Sequence, residues 1–188
     1  MSRKLLLVVG LALIPILNGC SGAEKYRARV IAEEAYKNED VEKYNIAISL
    51  ISKDLKDSPN DKELYILRGY YYSKSGKKKE AIDDLSKAIE IDPTSAHAYN
   101  NRCYNYYELK DFKKALPDCN KAISLDPTYW QAYDSRGDLK LAMGDAEGAC
   151  SDYKNAVEYD DDPDNDPFTY GEKNGKEWLN SEAGMFCR

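Results

Sequence analysis

An all-α solenoid stacked from helical hairpins is expected from three features of the 188-residue sequence. Shifting the chain by 34 residues lays Lys62–Ser95 on Ala96–Tyr129 with 13 identities and no gap, and a third copy, Trp130–Pro163, follows in register. Self-similarity at such a period marks an array of supersecondary units that stack to bury a shared core. Within each copy the apolar residues fall at three- and four-residue spacings, as in AIDDLSKAIEID, which makes one face of a helix. Breaks stand where hairpins need them: SGK and LKD between the two helices of a copy, and DPT at its end.

Numbered from the start of each copy, the recurring residues are a bulky Tyr at 4 (Tyr65, Tyr99, Tyr133) and a small residue at 8 (Gly69, Cys103, Gly137). An aromatic at 11 (Tyr72, Tyr106) gives way to Lys140 in the last copy. Alanines recur at 20 (Ala81, Ala115, Ala149) and 27 (Ala88, Ala122, Ala156), and a closing proline at 32 (Pro93, Pro127), with Asp161 in its place in the third copy. This pattern resembles the tetratricopeptide repeat (TPR), a helix–turn–helix unit. The resemblance implies three full repeats, 62–95, 96–129 and 130–163. Residues 28–61 read as a degenerate N-terminal hairpin, with Ala35 and Ala47 at small positions and Asp54 replacing the second alanine. Solenoids need atypical end units to cover the exposed core, so residues 164–188 are expected to form an acidic loop and a capping helix near Lys173–Asn180, with Trp178 packed inward. Pro117, inside the second helix of the middle repeat, is expected to delay the start of that helix or bend it.

The N-terminus has its own logic. Residues 1–19 run from Arg3 and Lys4 through an apolar stretch, Leu5 to Leu17, that is too short for a spanning helix and is broken by Pro15. This reads as an export signal. Its end, LNGC (Leu17–Cys20), resembles the lipobox of bacterial lipoproteins, departing from it at Asn18. That resemblance implies cleavage after Gly19, lipidation of Cys20, a linker over 20–27, and a place in the bacterial cell envelope. Ser21 after the cysteine favours the outer membrane by the same analogy. The lipid would be the membrane contact, since the net charge of −6 becomes about −8 without the leader. Such acidity argues against nucleic acid and against adhesion to anionic lipid through the protein surface.

In a hairpin turning near positions 15–16, positions 8 and 24 face each other. Gly69 then meets Leu85 and Gly137 meets Tyr153, while the middle copy sets Cys103 against Cys119. Export permits disulfides, so Cys103–Cys119 is expected as a staple. Zinc is disfavoured because the single histidine, His97, stands most of a helix away. Cys150 at position 21 faces the following helix, and GACSDYKNA with a late cysteine resembles the ending of exported TPR proteins. Cys150–Cys187 is the expected second bridge, with two buried thiols as the alternative.

Arg68 and Asp84, Arg102 and Asp118, and Arg136 and Asp152 oppose each other at positions 7 and 23 of every copy. A function needs one such pair and a scaffold needs three, so these read as interhelical ion pairs that fix register. No phosphate loop, nucleophile elbow or catalytic cluster is present, so no enzyme, cofactor or resident metal is expected. Asp160–Pro167 resembles the start of a calcium loop but, counted from Asp162, lacks its glycine at the sixth position and has Lys173 at the twelfth; a solvated acidic loop is the expectation.

The TPR resemblance implies a concave groove lined by positions 2, 5, 9 and 12 of each first helix: Tyr70, His97, Asn100, Tyr104, Tyr107, Gln131, Asp134 and Asp138. Such residues suit peptide capture. Tyr70 and Tyr104 either line the groove or pack between repeats. With Ile66 and Tyr70 at positions 5 and 9 of the first full copy, the groove is unlike the Lys/Asn clamp of chaperone-binding TPRs. The functional expectation is a lipid-anchored adaptor for another protein or peptide, by analogy in pilus or secretion assembly or hydrolase recruitment. The alternative is a structural lipoprotein that works through its convex or capping surface, or, in a third reading, a protein regulated by calcium through Asp160–Asp166.

Overall fold

The computed structural model describes Ala28, Val30, Ile31, residues 41–159 and Cys187. Seven helices have described bounds: α1 (Val41–Asp57), α2 (Lys62–Lys74), α3 (Lys78–Ile91), α4 (Ala96–Glu108), α5 (Phe112–Leu125), α6 (Trp130–Ala142) and α7 (Ala146–Tyr159). There is no strand among the described residues. Helices α2/α3, α4/α5 and α6/α7 pack as hairpins, each hairpin lies on the preceding one, and α2, α4 and α6 also touch in succession. The arrangement is an all-α solenoid with α2, α4 and α6 as the inner row. The leader, Cys20, the acidic loop 160–167 and the cap helix with Trp178 lie outside the described residues.

Each junction repeats because its chemistry repeats. Asp92 and Asp126 accept from the backbone N–H and hydroxyl of Thr94 and Thr128, which turns each DPT segment. Tyr65 and Tyr133 donate their hydroxyls to the carbonyls of Pro59 and Pro127, tying position 4 to the preceding turn. Asp61 and Ser95 cap α2 and α4 by accepting from their first-turn N–H groups. Lys62 is hydrogen-bonded to Asp92 across a repeat, and that bond, reinforced by Thr94, holds the Asp92 carboxyl well below the usual range.

The three Arg–Asp pairs are bidentate. Nε and Nη2 of Arg68, Arg102 and Arg136 donate to both carboxylate oxygens of Asp84, Asp118 and Asp152 at 2.6–2.8 Å. Nη1 of each then reaches into the preceding repeat, to Ser52, Ser86 or Asn120. One guanidinium therefore fixes both the hairpin and the step to its neighbour, a geometry lysine cannot supply. Burial raises the Asp84 carboxyl even against the pull of Arg68. The hydrogen bonds it donates to Asp84 raise the Arg68 guanidinium. Lys140, which replaces the aromatic at position 11, adds a second cation 2.8 Å from Asp152. Ser52 brings the degenerate hairpin into the same ladder.

Pro117 does not delay its helix. α5 begins at Phe112, in register with Lys78 and Ala146. The proline removes one donor to the carbonyl of Lys113, and both residues are exposed, so water can take that place.

Helix hairpins turn through a residue with positive φ at the same position of each repeat. Gly76 (φ 82°) and Gly144 (φ 86°) fill it in the outer copies; in the middle copy it is Lys110 (φ 59°). A side chain there is strained by about 1–2 kcal/mol.

Candidate functional site

Inner helices α2 and α4 differ most at three packed positions. At positions 5, 6 and 10, α2 carries Ile66, Leu67 and Tyr71, whereas α4 carries Asn100, Asn101 and Asn105. Leu67 and Tyr71 join a large apolar cluster with Tyr44, Ile48, Ile51 and Leu64. The three asparagines are as buried as those residues. Both amide atoms of Asn100, and the carbonyl oxygens of Asn101 and Asn105, have no hydrogen-bond partner among the described residues. Asn105 does donate to the Asn101 backbone carbonyl at 2.8 Å. Buried amides left without a partner are unfavourable by about 1–3 kcal/mol each. A helix serving only as scaffold would carry apolar residues here, as α2 does.

The eight groove candidates divide. Tyr70, Asn100, Gln131 and Asp134 are buried. Tyr70 packs edge-on against Tyr71 at 5.6 Å within the first cluster, which places it between repeats. His97 is exposed, its ring 4.7 Å from that of Tyr129. Tyr104, Tyr107 and Asp138 are half-buried. Tyr104 both packs against the first cluster and keeps part of its ring accessible, with the Lys78 ammonium 5.4 Å over it. Tyr107 lies 6.2 Å from Tyr104 and stacks on Phe112 at 6.3 Å. The accessible part of the inner face is thus a Tyr104–Tyr107 pair with Asp138 near Tyr107, and the exposed His97 at the start of the same helix. Burial, then the charges of Asp138 and Glu108, raises the Tyr107 hydroxyl above its ordinary pKa, so it is a neutral donor at physiological pH. Asp138 accepts from Tyr153 at 2.6 Å; burial first and that bond second push the Tyr153 hydroxyl far above its ordinary range.

Both cysteine pairs are bonded. Cys103 and Cys119, fully buried with Cα atoms 5.4 Å apart, join α4 to α5. Cys150 and Cys187 have Cα atoms 5.7 Å apart, and Lys154 donates to the Cys187 carbonyl at 2.6 Å. Among the described residues no group of three or more His, Cys, Asp or Glu side chains is placed to hold a metal. No helix among them is long and apolar enough to cross a membrane.

The sequence reading named Asn100 as a groove residue but not the buried Asn101 and Asn105, nor the Ser52, Ser86 and Asn120 partners of the arginines. The 34-residue register held both signals: it aligns the three ladder partners with one another, and it sets Asn101 and Asn105 against Leu67 and Tyr71.

Comparison with known proteins agrees with this architecture. Family models described as tetratricopeptide repeat match residues 63–95, 96–129 and 131–163. No curated protein matches the sequence. Among solved structures, the first TPR domain of human RPAP3 is 31% identical over 69% of this chain and 96% of that one, with a TM-score of 0.58. The first TPR of Spaghetti (RPAP3) bound to the HSP90 peptide SRMEEVD is 30% identical over 68% and 94%, with a TM-score of 0.56. The MamA protein is 26% identical over 73% and 74%, with a TM-score of 0.58. With the repeat models covering more than half of its residues and the hairpins stacked as the repeat requires, the chain belongs to the tetratricopeptide repeat family of protein-interaction modules.

Proposed function

We propose that this protein is a lipid-anchored adaptor of the bacterial cell envelope, which captures a segment of another protein on its inner face at the middle repeat. The observation that carries the capture is the accessible Tyr104–Tyr107 pair on a helix whose other inner positions are His97 and Asn100. Tyrosine offers apolar area and a hydrogen bond with few rotors to immobilise. The leader, the lipobox-like LNGC and two disulfides fit a compartment outside the cytoplasm.

The chemistry of the segment follows from charge. The peptide held by the RPAP3 module, SRMEEVD, is acidic. In this chain Ile66 and Tyr70 stand at the positions a carboxylate clamp would use, and Asp134 and Asp138 lie further along the row. A neutral or basic segment suits this face.

The test is capture from envelope extract with residues 21–188 as bait beside a Tyr104→Ala/Tyr107→Ala version of matched circular dichroism. Tyr70 is left intact, because its burial makes it part of the core. A protein retained by the parent and lost by the variant is the expected result. Equal retention by both would remove the groove and turn the search to the outer row of helices.

A further inference from the structure

The charges of this acidic protein are segregated along the solenoid. In antiparallel hairpins of 13- and 14-residue helices, the turns within repeats and the turns between repeats lie on opposite edges about 20 Å apart. The inter-repeat turns, 56–63, 90–95 and 124–129, hold six acids and two lysines. The first two hairpin turns, 74–80 and 108–114, hold seven lysines against Glu80, Glu108 and Asp111. These two turns are neighbours, since Lys78 pairs with Glu108 at 3.4 Å. Lys77, Lys79, Lys110, Lys113 and Lys114 are exposed.

Two further observations single out this edge. Of the few large apolar side chains exposed among the described residues, three are here: Leu109 (44%), Leu141 (38%) and Met143 (50%). Leu109 and Met143 occupy the same position of successive repeats, beside the turn residue. And the middle turn holds Lys110 in left-handed backbone where its neighbours use Gly76 and Gly144. A strained residue kept in place of glycine at an exposed tip points to a use for its side chain. The third turn, with Asp145 and Glu147, extends the apolar part only.

We infer that the hairpin-turn edge around Leu109 and Lys110 is a docking surface for an anionic lipid bilayer. Lysines flanking the exposed Leu109, with Leu141 and Met143 at the next turn, match the chemistry of an interface, in which apolar tips enter between headgroups and ammonium groups meet lipid phosphates. An acidic protein would satisfy the lysines but leaves the apolar strip unexplained. The net charge that argues against lipid contact is an average over two opposed edges. This inference does not rest on the groove reading: Tyr104 and Tyr107 lie on the inner row, so either can fail alone.

The test is binding of the full chain to vesicles of phosphatidylcholine with 30% phosphatidylglycerol and to vesicles of phosphatidylcholine alone. The leader is common to every variant, so the anionic increment is the readout. The parent is expected to bind the anionic vesicles more tightly, with an advantage that shrinks as salt rises. Lys110→Gly is expected to lose roughly fivefold of that advantage, and Leu109→Ser/Lys110→Gly/Lys113→Glu nearly all of it. Lys110→Gly removes the strain, so its melting temperature should not fall, and weaker binding cannot be laid to unfolding. Equal binding to both vesicles, an increment unchanged by the triple variant, or retention on immobilised polyglutamate without any anionic increment would each overturn the inference.

Discussion

The first and middle repeats share a backbone and solve its packing differently. In the first, Leu67 and Tyr71 close an apolar cluster across the junction with α1, and Gly69 lets Leu85 fill the hairpin. In the middle, asparagine stands at the equivalents of Ile66, Leu67 and Tyr71, and the hairpin is joined by Cys103–Cys119. The difference teaches that a repeat with polar residues at three packed positions of its inner helix gains from another source of stability, and here a covalent bond supplies it. The Arg–Asp ladder, identical in both, sets the geometry and leaves the inner helix free to vary.

The largest way to break this comparison is to remove the staple. Cys103→Ala/Cys119→Ala is expected to lose about 3 kcal/mol in denaturant unfolding. A loss near zero would mean that the asparagines and the disulfide are unrelated. The third repeat sharpens the same point, because its hairpin is filled by Tyr153. A Cβ on Gly137 would stand 2.7 Å from the Tyr153 ring, whereas one on Gly69 meets Leu85 Cγ at 3.0 Å. Tyr153 is held by Asp138 and cannot withdraw freely. Gly137→Ala should therefore destabilise by about 2 kcal/mol. Gly69→Ala should be nearly neutral, its contact offset by better helix propensity.

A smaller effect runs the other way. Asn101→Leu restores the residue of the first repeat and should raise stability by about 1 kcal/mol while weakening partner capture; a stabilised variant with undiminished capture would make the buried amide functionally idle. Smaller still is a pH effect on the third hairpin. The Tyr153 hydroxyl is raised in the fold by burial and by its bond to Asp138. Its contribution is therefore complete below the ordinary tyrosine range and is lost as pH climbs above about 10, where only the unfolded chain ionises it. Tyr153→Phe should flatten that alkaline decline in melting temperature.

The breaks between helices, the opposed cysteines and the Arg–Asp pairs were legible in the 34-residue period, because each depends on spacing within one hairpin. Tyr70 shows where this ends. Whether a concave-position tyrosine faces solvent or a neighbour depends on the adjoining helices, here Tyr44 of α1 and Tyr104 of α4 in the same cluster, which no single-repeat pattern contains. Pro117 shows it again: the helix starts on time because the carbonyl that loses its donor lies on an exposed face. The strain at Lys110 was visible only by aligning it with two glycines, and the basic edge only once the turns were gathered on one side.

The partner is expected to meet the inner face of the middle repeat. The most direct test places a photo-crosslinking amino acid at Tyr107 in one protein and at the exposed Lys121 of α5 in another, each irradiated with envelope extract. One crosslinked protein at position 107, absent at 121, is the predicted result. A crosslink at 121 with none at 107 would contradict it and assign binding to the outer row.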